Sequence, residues 1–183
     1  IKHDKERYEH KYEYCDLLIA GTGPSGLASA YAAAKNGAKV ILAEDKSRYG
    51  GSLLTSEVTI GNQSGQEWAE QIISELKSMP NVIVKNRSQV FGYYDHNMLV
   101  MSERVSDHLP KTDKYTPKQR LWYIRAEEVV ISSGSIERPL VFGNNDAPGV
   151  MLSSAAKEYL KIYGVLVGKK PIIFTNNDSG YET

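Results

Sequence analysis

The chain has 183 residues, 41% of them apolar and 24% charged, with Lys+Arg and Asp+Glu balanced at 22 each; this fits one large domain, or one domain and the beginning of another, and excludes wholesale disorder. The balanced charge argues against a nucleic-acid or anionic-membrane partner, and the most basic stretch, Lys111 to Arg120, is broken by Asp113 and Pro117 and reads as a solvated loop. No apolar run approaches the ~18 residues of a membrane span and no signal-peptide pattern occurs, so a cytoplasmic location is expected.

The segment at 1–14 begins without methionine and is charged and tyrosine-bearing from Lys2 to Tyr14, and it reads as a linker or strap. Cys15 is the only cysteine, which excludes disulfides, thiolate zinc clusters and iron–sulfur cages within the chain; small apolar filler is its expected role, and no metal site is expected.

Cys15-Asp16-Leu17-Leu18-Ile19-Ala20 reads as a buried strand, followed directly by Gly21-Thr22-Gly23-Pro24-Ser25-Gly26 and an alanine-rich helix from Leu27 to Asn36. A strand, a G-x-G-x-x-G turn and a helix, with an acid about 20 residues on, form the fingerprint of a dinucleotide fold. The acid is Glu44, which closes the second apolar run Lys39 to Ala43. Gly21 permits the tight turn, Gly23 admits the pyrophosphate, and Gly26 lets the helix lie close to the sheet. The free amides of the first helical turn then face the phosphates. Glu44 is expected to accept hydrogen bonds from an adenosine ribose, which favours NAD or FAD over NADP, although Lys46 and Arg48 lie nearby.

Gly50-Gly51-Ser52 supplies a second close backbone approach, or else a plain loop. The spacing of Trp68, Ala69, Ile72, Ile73 and Leu76 predicts a helix over Gly65 to Met79, stopped by Pro80, with Trp68 as a core anchor. Val82-Ile83-Val84 is expected as the third parallel strand. Gln89 to Tyr94 and Met98 to Val105 flank the turn Asp95-His96-Asn97, and with Arg120 to Arg125 they predict an antiparallel meander inserted between the third and fourth parallel strands. His96 reads as an exposed turn residue rather than a base.

Val129 to Ser135 is expected as the fourth buried strand, ending in small residues where open α/β sheets bind cofactors. Ser153 or Ser154 is expected to cap a helix running to Tyr163, with Gly164 after its end. Pro171-Ile172-Ile173-Phe174 reads as a buried strand and Thr175 to Gly180 as the turn after it. The division expected is therefore a dinucleotide-binding domain over 15–168 and the truncated start of a second nucleotide-binding half over 169–183, in a fragment of a longer polypeptide. The fold class is α/β: a Rossmann-like FAD/NAD(P)-binding domain, its parallel sheet flanked by helices and carrying the inserted meander.

The order glycine triplet, ribose acid, Gly-Gly, meander and a strand ending Ser132-Ser133-Gly134-Ser135 resembles flavoproteins with two dinucleotide-binding domains. More narrowly, Phe91 to Asn97, Ile136 to Phe142, Asn144 to Met151 and Phe174 to Asp178 resemble the alpha subunit of heterotetrameric sarcosine oxidase. The resemblance implies a parent complex that oxidises sarcosine to glycine, passes the one-carbon unit to tetrahydrofolate and produces hydrogen peroxide. It implies NAD in the alpha subunit, and FAD, FMN and zinc elsewhere in the complex. It also implies partner subunits, an upstream ferredoxin-like region and a downstream part similar to aminomethyltransferases. By this likeness Gly21, Gly23, Gly26, Glu44, Gly51, Val90, Ser133 and Gly134 line the NAD site, Val90 through its backbone. Pro24 and Ser25 in the turn, Asp45 beside the acid and Ser52 beside Gly51 complete the expected cofactor-binding set. Ser133 stands where the family usually has threonine.

No catalytic residue is identifiable from sequence. Two alternatives stay open: an FAD-binding domain of another amine oxidase or reductase subunit, since FAD and NAD share the ADP moiety that these residues would grip, and a non-catalytic assembly module.

Overall fold

The computed structural model of the chain describes residues 6–183. Its elements in chain order are β1 (Tyr8–Ala20), α1 (Pro24–Lys35), β2 (Val40–Ala43), a short hairpin of β3 (Thr59–Ile60) and β4 (Gln63–Ser64), α2 (Gly65–Ser78), β5 (Val82–Lys85), β6 (Ser88–Tyr94), β7 (Met98–Arg104), β8 (Gln119–Ile131) and α3 (Ser153–Tyr163). One six-stranded sheet runs β5-β2-β1-β8-β7-β6. The first four strands are parallel, while β7 and β6 are antiparallel to their neighbours. This is the Rossmann-like arrangement expected from the strand–glycine–helix order.

Strand alternation sorts the core onto two faces. Ile19, Val40 and Leu42 meet Leu27, Ala30 and Ala34 of α1 and Ile72, Ile73 and Leu76 of α2 on one side. Alanines at the α1 contact keep that helix close to the sheet. On the other side Leu18, Ile41 and Ala43 pack with Leu99, Met101, Trp122, Ile124 and Ala126. Lys85 of β5 pairs with Glu103 of β7 at 2.9 Å although three strands stand between β5 and β7 in the sheet, so the antiparallel half curls back toward the parallel half. Cys15 is fully buried there, and burial pushes its thiol up to about 12. At neutral pH it is an inert thiol.

Residues 8–14, expected as a linker or strap, form the first half of β1 and pair with β8 from Tyr8↔Gln119 to Tyr14↔Arg125; residues 1–5 of that segment lie outside the described residues. Charges did not forbid a strand here because they alternate with tyrosines and find cross-strand partners, as Glu9 does in Arg120 at 3.0 Å. The meander is not a separate insertion: its third strand and the fourth parallel strand are one strand, β8, because Glu127 and Glu128 stay exposed and the pairing with β1 keeps one register from Cys15↔Ala126 to Leu17↔Glu128. The expected strand Pro171 to Phe174 is absent. Ile172 is 96% exposed, and with no neighbouring strand to take its amides the run has nothing to pair with among the described residues.

The helix α3, expected to be capped by Ser153 or Ser154, takes its cap from neither. The Glu137 carboxylate takes that role, accepting from the Ser154 amide at 2.8 Å, the Ser153 amide at 3.3 Å and the Ser153 hydroxyl at 2.9 Å. Gly164 ends the helix in the left-handed conformation, as expected. Glu137→Ala is expected to destabilise α3 by about 1 kcal/mol, read as faster amide exchange in Ala156 to Tyr163 with exchange in β1 unchanged. The helix α2 begins one residue after Ser64, whose side chain and that of Glu67 cap each other's backbone.

Candidate functional site

The glycine turn lies at the carboxyl edge of the sheet, where β1 hands over to α1. Gly21 sits at φ 107, and a Cβ there would come within 2.3 Å of the Ser132 carbonyl oxygen. A Cβ on Gly26 would lie 2.1 Å from the Gly21 carbonyl oxygen and 2.6 Å from Ser132 Oγ. Both glycines are therefore required by contact between α1 and the ends of β1 and β8. Gly23 differs: its Cβ position has no atom within 4 Å, and its backbone is ordinary extended chain at φ −65 and ψ −179. Packing does not require glycine at 23, whereas a ligand lying against the turn would.

Pro24 occupies the first position of α1, where its missing N–H costs nothing. The Leu27 amide already bonds the Gly23 carbonyl at 3.0 Å. No side chain caps this helix. The amides of Ser25 and Gly26 consequently face the edge at the positive end of the helix, a ready place for an anion.

Glu44 directly follows β2, its amide held by the Lys85 carbonyl at 2.8 Å. The residue is 6% exposed. Oε2 accepts from the Thr22 amide at 3.1 Å and from the Thr22 hydroxyl, and Oε1 from the Lys46 amide at 3.0 Å. Burial, and then the neighbouring Asp45 carboxyl, push Glu44 above the ordinary glutamate range against these hydrogen bonds. A carboxylate offers about four lone-pair directions, so three acceptances leave room on Oε1 for one ligand hydroxyl. Lys46 reaches away to Glu158 of α3 at 3.1 Å.

The second glycine pair closes over the first. Gly50 at φ 122 and Gly51 at φ 53 are both left-handed, and a Cβ on Gly51 would come within 3.0 Å of Gly23 Cα. Ser52 follows in an exposed 3-10 turn and bonds Thr55 and Ser56 through its carbonyl rather than reaching the glycine turn. Ser133 comes beside Gly21, its amide nitrogen 3.2 Å from the Gly21 Cβ position, whereas Gly134 at φ 72 stands exposed with nothing near. Val90 is two residues past Ser88, whose amide donates to the Glu44 carbonyl at 2.7 Å, and it precedes a bulge between Val90 and Gly92. Asp45 is exposed and walls a polar cavity of about 320 Å³ with Arg87, Gln89, Ser102, Arg104 and Gln119. His96 is exposed in its turn at φ 58, as expected.

Two residues of this edge escaped the sequence reading. Thr22 is fully buried between the glycines. Ser132 Oγ lies 3.1 Å from both the Ala20 and Gly21 carbonyls and shares its one proton between them, tying β8 to the turn. A hydroxyl inside G-x-G-x-x-G and the small residues ending β8 were the available signals. Among the described residues no three His, Cys, Asp or Glu side chains gather as a metal site, and no helix is long and apolar enough to cross a membrane.

A family model for FAD dependent oxidoreductases matches residues 16–111, the span from β1 through the glycine turn, Glu44 and the hairpin. Across 97% of its length the chain is 46% identical to the sarcosine oxidase subunit alpha of Rhizobium meliloti (strain 1021) and covers 18% of it. It is 38% identical over the same share to the corresponding subunit of Corynebacterium sp. (strain P-1), covering 19% of it. The chain thus spans less than a fifth of these relatives. The crystal structure of L-proline dehydrogenase from P. horikoshii superposes with a TM-score of 0.70 at 23% identity, over 87% of this chain and 31% of that one, and shares the fold. The glycine turn on its strand and helix, with the family match across it and the likeness to sarcosine oxidase alpha subunits, makes this chain a member of the FAD-dependent oxidoreductase family.

Proposed function

We propose that the chain binds the ADP half of a dinucleotide at the carboxyl edge of its sheet, with the diphosphate on Gly23 and the free amides of Ser25 and Gly26, and the ribose on Glu44. The observation that carries this is the contrast within the glycine turn. Gly21 and Gly26 are packed against backbone, while Gly23 faces open space that a Cβ would fill. Pro24, Gly51 and Ser133 complete the cradle, and Val90, Asp45, Ser52 and Gly134 form its periphery. The residues present fit FAD, the cofactor of the matched family, which supplies electron-accepting flavin chemistry when bound. This chain's residues bind and orient its nucleotide half.

NAD is the second reading, resting on the likeness to sarcosine oxidase alpha subunits. Glu44 is compatible with either, because both carry the same adenosine diol. The absorption spectrum and mass of nucleotide released from the purified chain separate them: FAD absorbs near ~450 nm and oxidised NAD does not. Release of neither, with no binding of added FAD or NAD, would refute the site.

The longer polypeptide or complex would then be an amine oxidase of the sarcosine oxidase type, acting on sarcosine with tetrahydrofolate as one-carbon acceptor, producing hydrogen peroxide and holding FMN and zinc in other parts. An assembly role for residues beyond β8 is also supported, since Ile136, Val141 and Ile172 are each more than nine-tenths exposed, a distribution suited to covering by neighbouring polypeptide. We place the dinucleotide-binding domain at 15–168 with residues 8–14 joined to its sheet, and the start of a second nucleotide-binding half at 169–183.

A further inference from the structure

We infer that Thr22 is a positioning residue that decides which oxygen of Glu44 meets the ribose and holds the second glycine pair over the first. The inference rests on the dinucleotide reading above and goes one residue deeper into it.

Thr22 has no solvent exposure. Its hydroxyl carries a single proton, and that proton is given to Glu44 Oε2. Thr22 Oγ1 in turn accepts from the Gly50 amide at 3.2 Å, and the Thr22 amide donates to Glu44 Oε2 at 3.1 Å. Three segments distant in sequence, namely the turn at 21–26, the acid at the end of β2 and the glycine pair at 50–51, therefore meet on one side chain. With Oε2 taken twice and Oε1 once, by the Lys46 amide, Oε1 is the oxygen with capacity to spare. Rotating the carboxylate would expose the occupied oxygen instead.

Gly50 is buried, and Gly50 and Gly51 both have positive φ, a pairing that a flexible loop leaves readily unless its amides are held. Held there, Gly51 lies against Gly23 and walls the space that Gly23 leaves open. Threonine suits this duty better than serine would, because its β-branch restricts rotation about χ1.

Without the hydroxyl, the buried Gly50 amide loses its acceptor and Glu44 Oε2 is held by the residue-22 amide alone, so the glycine pair is released and the carboxylate is freer to turn. The test is calorimetric titration of the full chain with ADP and with 2′-deoxy-ADP. The unmodified chain is expected to prefer ADP by about tenfold, the worth of one hydrogen bond to a charged group. Thr22→Val is expected to bring the two affinities to near equality, and Thr22→Ser to keep the preference. Thr22→Ala gives the same comparison if the valine chain does not fold. A threonine serving stability alone would lower the melting temperature and leave the ratio intact; a ratio preserved in folded Thr22→Val or Thr22→Ala overturns the inference. Binding of neither nucleotide by the unmodified chain overturns the dinucleotide reading itself, and this inference with it.

Discussion

Valine at position 26 is expected to destabilise the fold severely, while valine at position 23 leaves the fold intact and removes nucleotide binding. The backbone geometry separates them. A Cβ on Gly26 would stand 2.1 Å from the Gly21 carbonyl, inside the first turn of α1, so the helix must lift off the ends of β1 and β8. Overpacking of this kind costs about 3 kcal/mol, or roughly 6–12 °C in melting temperature for a chain of this size. A Cβ at position 23 meets no atom within 4 Å beyond its chain neighbours among the described residues, and the φ of −65 there suits any residue. Gly23→Val should therefore melt within about 1–2 °C of the unmodified chain. Its isopropyl group would occupy the diphosphate's place and weaken ADP binding by about a hundredfold or more. Calorimetry and thermal melts on both variants check the pair. Equal melting temperatures for the two, or ADP affinity retained in Gly23→Val, would contradict the assignment.

Glu103→Ala is the second large effect, and it reaches the site through the sheet. Glu103, in β7, is 7% exposed on the inner side of the curled sheet. It accepts from Trp122 Nε1 at 2.7 Å and Arg120 Nη1 at 3.0 Å on one oxygen, and from Lys85 Nζ at 2.9 Å on the other. Lys11 completes the group over the Trp122 ring at 4.2 Å. Removing the carboxylate leaves the buried indole N–H without an acceptor and Lys85 without its counter-charge, a loss of about 3 kcal/mol. Because the Lys85 carbonyl holds the Glu44 amide, the same change is expected to loosen the ribose acid and weaken ADP binding.

The pH dependence of that cluster has a definite sign. Burial pushes the Glu103 carboxyl up, but the hydrogen bonds and charges of Lys85, Trp122 and Arg120 outweigh it and hold it below the ordinary value of 4.5. A carboxyl depressed in the folded state adds stability above its unfolded value and loses it as pH falls through the folded one. Denaturation midpoints of the unmodified chain should therefore fall as pH drops below about 4.5, and Glu103→Gln should flatten that fall. An identical pH profile in the two chains would remove Glu103 from the account.

What was legible in the sequence lay close together along the chain. Gly21 to Gly26 sits between its strand and helix within one short stretch, and Glu44 closes the next strand, so local pattern alone places the turn and the acid. The cap of α2 is likewise written locally as Ser64 and Glu67. The rest depended on partners far apart. Glu137 displaces the local serines as cap of α3 because a charged acceptor reaches two amides at once. The tyrosine-bearing stretch before Cys15 becomes strand because β8 lies beside it, and no property of residues 8–14 taken alone announces that neighbour. Pro171 to Phe174 has a strand's composition but lacks the neighbour that would make it one among the described residues. Thr22 and Ser132 read as small polar residues in turns; only the folded edge shows each hydroxyl joining segments that are remote in sequence.

The most direct test of the site is titration of the isotopically labelled chain with ADP, followed residue by residue through its backbone amide resonances. The largest shifts are expected at Gly23, Ser25, Gly26 and Gly51, with smaller ones at Thr22 and Lys46, whose amides share the Glu44 carboxylate. Saturating ADP that leaves the amides of Ser25 and Gly26 unmoved, or that shifts only residues remote from the carboxyl edge of β1, would contradict the proposal.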